Sequence, residues 1–204
     1  MNFLRTLFLM ACLTALLPVS SHAATLSAEE KADIAAVEAW LDSIETYKAE
    51  FLQSASTGGV ASGTFFLSRP GRMLIDYAPP AQLDVYSDGT WLIYVDHELK
   101  EVNQVPLAAT PARILVHKNV RLAKEADIEV IRSERAIRLK LSKKNSPEDG
   151  RIMLVFSRDP VALRAWTIID PQGVETTITL IKPELNQAID EKRVIYSPPD
   201  WTFQ

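Results

Sequence analysis

The sequence of 204 residues has few of the side chains that reactive or metal-binding sites need. It contains one cysteine, Cys12, and three histidines, and none of these has a second such residue at the short spacing of a transition-metal site. It also lacks a Gly-x-Ser-x-Gly nucleophile motif and a glycine-rich phosphate loop. We therefore expect no metal ion, no cofactor and no catalytic residues. An exported enzyme stays an alternative, because catalytic carboxylates need no motif.

The N-terminus has the three parts of a signal peptide. Arg5 precedes an apolar run, which Pro18 interrupts, and the small-x-small sequence at residues 21–23 offers a cleavage site. The run is much shorter than the roughly 20 residues that cross a bilayer. We predict that residues 1–23 are removed and that residues 24–204 form a single domain.

Cys12 lies inside this segment, in a sequence that resembles a lipoprotein-processing box. The apolar run continues beyond Cys12, so we do not expect the cysteine to be lipidated. Removal of the segment makes the formal net charge of −4 one unit more negative, because Arg5 is lost. Such acidity does not fit a nucleic-acid partner. The remaining chain has no thiol or disulfide chemistry, and its apolar core must stabilise it.

The start of the predicted domain has the pattern of an amphipathic helix. Ser27 and Glu30 have the spacing of a capping box. Apolar residues follow at intervals of three and four positions, namely Ile34, Val37, Leu41 and Ile44, with Trp40 beside them. This pattern predicts a helix from Leu26 to about Gln53.

From Gly58 onward the apolar pattern has a period of two, with turn residues at intervals of about eight to twelve positions. It predicts strands at 64–67, 73–77, 82–86, 91–95, 128–131, 137–141, 152–156, 163–169, 176–181 and 193–196. Thr110 and Pro111 begin a short apolar helix that contains Ile114 and Leu115. The fold class is therefore α+β and mainly β, with a curved antiparallel sheet.

The predicted strands carry more apolar side chains than one helix can cover. We expect one face to hold Phe65, Leu67, Met73, Ile75, Tyr77, Leu83, Val85, Ile93 and Val95. A curved sheet must fill such a concave face with helices or with a ligand. From the residues alone, an ordinary core filled by the two helices and a ligand-binding cavity remain open alternatives.

Arg69 follows Phe65 and Leu67 in the same alternating set. A charge on an apolar face is costly unless it is hydrogen-bonded. Either the strand ends at Ser68 and Arg69 is exposed, or Arg69 reaches inward and donates to carbonyl groups at a helix end. The residues alone do not decide between these two positions.

Several short motifs follow one another over nearly the whole predicted domain. They are Ala49-Glu50-Phe51-Leu52-Gln53, Gly63-Thr64-Phe65-Phe66-Leu67-Ser68-Arg69-Pro70-Gly71-Arg72, Tyr77-x-Pro-Pro, Ser87-Asp88-Gly89, Val95-Asp96, Pro106-Leu107 before Thr110-Pro111, Asp170-x-x-Gly173 and Pro198-Pro199. Together and in this order, they resemble the periplasmic outer-membrane lipoprotein carrier family (LolA-type).

The resemblance implies an unclosed β-barrel lidded by helices, over a hydrophobic cavity that binds the acyl chains of lipoproteins. It implies that Arg69 latches the lid by hydrogen bonds. The lid would be the N-terminal helix and the helix after Pro111, with Val37, Trp40, Leu41, Ile44, Pro111, Ile114 and Leu115. Arg113 departs from the family's apolar lid, and we expect its long side chain to reach solvent.

The resemblance also implies partners and a compartment. The protein would be a periplasmic monomer that takes lipoproteins from an inner-membrane ABC transporter and delivers them to an outer-membrane acceptor, without a cofactor. The alternative is a protein of the same fold that binds another lipid or senses lipoproteins.

Overall fold

The computed structural model describes residues 26–144 and 150–203, so the predicted signal peptide and Cys12 lie outside the described residues. Three α-helices are α1 (Ala28–Ser43), α2 (Arg113–Val116) and α3 (Leu122–Glu125). The strands are β1 (Thr46–Ala55), β2 (Val60–Ser68), β3 (Arg72–Tyr77), β4 (Leu83–Asp88), β5 (Trp91–Asp96), β6 (Glu101–Pro106), β7 (Ala126–Arg132), β8 (Ala136–Lys143), β9 (Arg151–Arg158), β10 (Val161–Ile169) and β11 (Glu175–Leu185). No helix in this part of the chain is long and apolar enough to cross a membrane.

All eleven strands form one antiparallel sheet in the order β6-β5-β4-β3-β2-β1-β11-β10-β9-β8-β7. Strands β6 and β7 are its two edges and do not pair with each other, so the sheet is unclosed. The predicted fold class, mainly β with an open antiparallel sheet, is confirmed. Because β6 and β7 are consecutive in the chain, residues 107–125 must cross from one edge to the other.

The sheet is strongly curled. The rings of Phe65 on β2 and Trp166 on β10 have centroids 5.1 Å apart, although β1 and β11 lie between these two strands. In a flat sheet this separation would be about 14 Å, three times the strand spacing. The two halves of the sheet therefore face each other across a concave side, where the main apolar core lies.

Helix α1 begins as predicted and ends earlier than predicted. The Ser27 side chain accepts from the Glu30 amide at 3.1 Å, and the Glu30 carboxylate accepts from the Ser27 amide at 2.7 Å. The prediction of a helix to Gln53 is wrong, because the helix ends at Ser43, Ile44 caps it and β1 follows. Strand β1 is bonded to β2 on one side and to β11 on the other, and these ladders outweigh local helix propensity.

Two other elements differ from the prediction. Strand β6 was not predicted, because its exposed sequence has little alternation. The strand predicted at 193–196 is wrong, because Glu191–Val194 forms a 3-10 helix. Val194 is buried there on the outer face of the sheet, against Phe66 and Leu74.

A buried carboxylate fastens α1 to the sheet. Asp33 is buried on α1, and its oxygens accept from Arg132 Nε at 2.7 Å and from Arg158 Nη1 at 2.9 Å. Burial alone would raise the pKa of Asp33, but the hydrogen bonds and charges of the two arginines outweigh it and hold the pKa below its ordinary value. Helix α1 is thus held by ion pairs to β7 and β9, in addition to the packing of its apolar side against the core.

Candidate functional site

A cavity of about 450 Å³ lies between the concave face of the sheet and residues 109–112 of the crossing segment. Its walls come from both halves of the sheet: Met73, Ile75, Val85 and Leu92 on one side, and Ile152, Trp166, Ile168 and Ile178 on the other. Pro111 and Leu115 cover it. This volume is within the range of about 300–1,000 Å³ that is typical of small-molecule sites.

The polar groups of the cavity are few and uncharged. None of the described residues that line it carries a charge; the polar ones are Gln53, Tyr77, Tyr94, Thr110 and Thr176. Tyr77 donates to Gln53 Oε1 at 2.7 Å, and burial raises the pKa of Tyr77 to about 12, so the hydroxyl stays neutral. Among the described residues, no cluster of His, Cys, Asp or Glu could hold a metal ion. The cavity suits an apolar, uncharged ligand group.

Most of the predicted cavity residues lie on the concave face. Met73, Ile75, Tyr77 and Val85 line the cavity, Phe65 and Leu67 are buried in the adjoining core, and Leu83 packs against that core. The residues of the far wall, from β9, β10 and β11, were not singled out from the sequence. Their strands showed the same alternation, and only the curl of the sheet brings them opposite the predicted set.

The prediction that Ile93 and Val95 share this face is wrong. In the antiparallel pairing, Ile93 lies opposite Tyr86, and Tyr94 lies opposite Val85. Paired residues point to the same side of a sheet, so Ile93 and Val95 point to the outer face. Leu92 and Tyr94 line the cavity instead. Every residue from Trp91 to Val95 is apolar or aromatic, so alternation could not identify the inner set, whereas the Ser87–Leu92 pairing across the turn does.

The crossing segment forms a cover over the open side of the curled sheet. Leu107–Ala109 is a 3-10 turn, Thr110 donates to the Leu107 carbonyl at 3.0 Å, and α2 follows. Ile114 and Leu115 of α2 are buried. We call residues 107–116 the lid segment.

The residues expected in the N-terminal part of the lid also lie at this side. Val37 and Leu41 of α1 and the cap residue Ile44 are buried in the core. Trp40 packs edge-on against Phe156, with ring centroids 5.4 Å apart. Helix α1 is therefore part of the packed core beside the lid segment.

Arg69 joins the sheet to both helices. It is only 6% exposed, and its guanidinium donates from Nε to the Leu115 carbonyl at 2.7 Å, from Nη2 to the Ile114 carbonyl at 3.3 Å and from Nη1 to the Leu41 carbonyl. Burial lowers the pKa of Arg69 to about 10, an effect that the Asp42 charge partly opposes, so Arg69 remains charged at neutral pH. The sequence left open whether Arg69 is exposed or reaches inward, and in the structure it reaches inward.

Further polar contacts surround the lid segment. Arg113 is paired with Glu125 of α3 and is only partly exposed, so it reaches a partner as well as solvent. The Val116 carbonyl accepts from the Gly71 amide at 2.8 Å, which ties the end of α2 to the turn between β2 and β3. The beginning of α2 has no such backbone tie to the sheet among the hydrogen bonds described for residues 26–144 and 150–203. The described ties between the α2 backbone and the sheet therefore lie at the end of the helix, at Ile114, Leu115 and Val116.

Comparison with known proteins agrees with this geometry. Residues 42–193 match the model of a family described as outer membrane lipoprotein carrier protein LolA. An outer-membrane lipoprotein carrier protein of Halorhodospira halophila is 29% identical over 201 residues, which cover 92% of each chain. One of Chromohalobacter salexigens is 29% identical over 196 residues, covering 92% of this chain and 90% of the other. A solved structure of an uncharacterised protein from Thermus thermophilus, 9% identical, shares the fold with a TM-score of 0.54 over 84% of this chain and 96% of that one.

Proposed function

Because the chain belongs to the outer membrane lipoprotein carrier family LolA, we propose that it binds the acyl chains of lipoproteins in the cavity and carries them to the outer membrane. The observation that carries this proposal is the uncharged apolar cavity beneath a lid segment that Arg69 holds. No covalent chemistry is needed for this role, since the protein only binds, shields and releases.

The size of the cavity fits an acyl chain. If a methylene group fills about the volume of a water molecule, roughly 30 Å³, the cavity of about 450 Å³ accepts about 15 methylene groups. Each methylene group removed from water contributes about 0.8 kcal/mol. One acyl chain of ordinary length would thus fill the cavity with the lid segment in its present position, and would bind well.

The lid segment provides for both protection and release. When the protein is empty, the lid segment covers part of the apolar walls and so limits their contact with solvent and with other molecules. A lid held by a few hydrogen bonds can open at a modest cost, because each contributes about 0.5–1.5 kcal/mol net, or somewhat more with a charged donor. We propose that Arg69 is the latch that sets this cost.

The proposal extends to a place and to partners. Residues 1–23 would direct export and be removed, leaving a monomeric domain of residues 24–204 in the periplasm. There it would accept lipoproteins from an ABC transporter of the inner membrane and pass them to an acceptor at the outer membrane. The formal net charge of −4 does not fit a nucleic-acid partner.

Binding of a hexadecanoyl peptide to residues 24–204, compared with the same peptide without the acyl group, tests the proposal. We expect saturable binding of the acylated peptide only. The substitution Ile168→Asn on the cavity wall should weaken binding about tenfold, through loss of apolar contact. Ile181→Asn is the matched control, because Ile181 is on the next strand and is 41% exposed. Equal binding of both peptides, or equal effects of both substitutions, would contradict the proposal.

The identity of the cargo needs a second experiment. The purified domain is incubated with membrane extract, recovered, and analysed by mass spectrometry for what remains bound. Lipid-modified proteins support the carrier function, whereas free lipid alone supports the same-fold lipid-binding alternative. Release of lipoproteins from inner-membrane vesicles, measured with the wild type and with Arg69→Leu, then tests the transport step. Absence of bound acyl groups, together with no effect of Arg69→Leu, would overturn the proposal.

A further inference from the structure

Asp42 has one oxygen atom without a partner beside the latch. It is the residue after Leu41, whose carbonyl accepts from Arg69. Its Oδ2 atom accepts from Arg121 Nη1 at 2.9 Å, while its Oδ1 atom is buried and has no hydrogen-bond partner. A buried carboxylate oxygen without a partner is unfavourable in the closed form. It is therefore a ready acceptor if a donor becomes free nearby.

The partners of Arg69 fall into a fixed set and a movable set. The Leu41 carbonyl belongs to α1, which Asp33 and a buried apolar side hold on the sheet. The Ile114 and Leu115 carbonyls belong to α2, which is a single turn. When α2 lifts, the guanidinium keeps its bond to Leu41 and loses two acceptors. A buried guanidinium that lacks acceptors must find new ones or become hydrated.

We propose that Asp42 receives the Arg69 guanidinium when α2 lifts, so that Arg69 exchanges its two carbonyl acceptors on α2 for the free Oδ1 atom on α1. Asp42 is then a positioning residue that stabilises the open lid. The inference rests on the proposed function, because it requires that α2 moves to admit an acyl chain. It goes further by assigning Arg69 a partner in both positions of the lid.

The charge of Asp42, as well as its position, favours the transfer of the Arg69 guanidinium to Asp42. Asp42 is a carboxylate, and a hydrogen bond between two charged groups is about twice as strong as one between neutral groups. The Asp42 charge already acts on Arg69 in the closed form, where it partly offsets the effect of burial on the Arg69 pKa. Arg121 Nη1 occupies only the Oδ2 atom of the same carboxylate, so Oδ1 remains available to Arg69.

The test measures lid opening without a ligand. The domain of residues 24–204 has no cysteine, so a single Leu115→Cys reports opening through its rate of reaction with a thiol reagent. Asp42→Asn preserves the shape of the side chain and removes its charge, and Asp42→Ala removes the acceptor altogether. We expect both to slow labelling, by about five- to tenfold for Asp42→Asn, since the open state loses a charge-assisted bond.

Two further variants separate this role from a simple structural one. Arg121→Gln breaks the contact between Arg121 and Asp42 but leaves the carboxylate in place, so its labelling rate should stay within about twofold of the wild type. In the Arg69→Leu background, Asp42→Asn should have no effect, because the group that Asp42 receives is absent. A circular dichroism melt of each variant establishes that it is folded.

The opposite sign would overturn the inference. If Asp42 only supported the closed latch, Asp42→Asn and Asp42→Ala would accelerate labelling. Unchanged labelling, an equal effect of Arg121→Gln, or an effect of Asp42→Asn that persists without Arg69 would also overturn it. Failure of the wild type to bind a hexadecanoyl peptide would instead contradict the proposed function, and the labelling experiment does not depend on that binding.

Discussion

Replacing Arg69 with leucine removes the hydrogen bonds by which one side chain joins the sheet to α1 and α2. Lifting α2 breaks only the bonds to Leu115 and Ile114, so these two hold the closed lid. The bond from Nε to the Leu115 carbonyl is short, at 2.7 Å, and the bond from Nη2 to the Ile114 carbonyl is longer, at 3.3 Å. The first therefore contributes most of the latch.

The expected magnitude follows from these two bonds. A hydrogen bond from a charged group contributes about 1.5–3 kcal/mol net. Two effects offset part of the loss: the introduced leucine gains some apolar contact in the closed form, and the open form loses the bond that we propose Arg69 makes to Asp42. We therefore take the net shift in the free energy of lid opening to be about 2 kcal/mol, which corresponds to a roughly 30-fold larger open fraction.

Thiol labelling of two matched reporters measures this shift. Leu115→Cys lies on the lid segment and Leu74→Cys on the outer face of β3, and the two leucines are equally buried at 3% exposure. In the Arg69→Leu background, labelling at position 115 should become about 30-fold faster, while labelling at position 74 should change little. The first reporter responds to lid opening, and the second responds only to unfolding of the strand.

Two labelling results would contradict the role of Arg69 as a latch. If labelling at position 115 stayed within about twofold of the wild-type rate, Arg69 would not hold the lid. If both positions accelerated equally, Arg69 would stabilise the whole fold and not the closed lid in particular. Arg69→Lys provides an intermediate case, because a lysine ammonium keeps the charge but not the fork of donors. Its labelling rate should fall between those of the wild type and Arg69→Leu.

The packing of the sheet makes three other substitutions informative. Gly63→Ala should lower the free energy of unfolding by about 3 kcal/mol in urea titrations, because the added Cβ would lie 2.0 Å from a backbone oxygen of β3. Gly59→Ala is the control and should have little effect, because its Cβ would meet nothing closer than 3.9 Å. Asp33→Asn should lower the free energy of unfolding by about 2 kcal/mol at neutral pH. Burial opposes ionisation of Asp33, but its two arginine partners keep the pKa of the carboxyl lowered. The difference in melting temperature between the wild type and Asp33→Asn should therefore persist above about pH 4 and shrink as the pH falls through the folded pKa. Leu92→Asn should weaken hexadecanoyl-peptide binding about tenfold, while Ile93→Asn, on the opposite face, should leave the affinity of the folded protein unchanged.

The sequence was sufficient where one local pattern decided the structure. The capping box and apolar spacing placed the start of α1, and the two-residue period placed most strands. The helix prediction failed beyond Ser43, because β1 owes its conformation to partners on both sides, one of which is β11 at the far end of the chain. No local pattern contains that pairing.

The candidate site was predictable to the same extent. Alternation placed Met73, Ile75 and Val85 on the inner face, where they line the cavity, although Leu74 between the first two is apolar and buried on the outer face. It failed on β5, where successive apolar residues leave both faces apolar and only the register with β4 decides. The sequence left the inward and the exposed position of Arg69 open. The inward position is stabilised by the carbonyl groups of Leu41 and Leu115, which are far from Arg69 in the sequence.

The volume of the cavity predicts how Arg69 affects affinity and rate. The cavity of about 450 Å³ beneath the lid segment has room for a single acyl chain of about 15 methylene groups. The latch then forms both in the empty and in the loaded protein. For a one-chain peptide, Arg69→Leu should therefore accelerate uptake and release together, by about 30-fold, and leave the dissociation constant within about threefold of the wild type.

A cargo with two acyl chains should behave differently. Two chains need about twice the volume of about 450 Å³, so we expect the lid to stay open in the complex and the bonds of Arg69 to α2 to remain broken. The free energy of the latch then opposes binding, and its removal by Arg69→Leu should tighten binding of a two-chain peptide up to about 30-fold. Stopped-flow exchange with fluorescent one-chain and two-chain peptides measures both cases. The lipid tails of a bilayer and the cavity walls are similarly apolar, so transfer of an acyl chain from the cavity to a bilayer releases little free energy. The closing of the latch would then be the contribution that drives a two-chain cargo out of the protein. Equal affinities of the wild type and Arg69→Leu for the two-chain peptide would show that the lid closes over it, and the latch would then control only the rate of exchange.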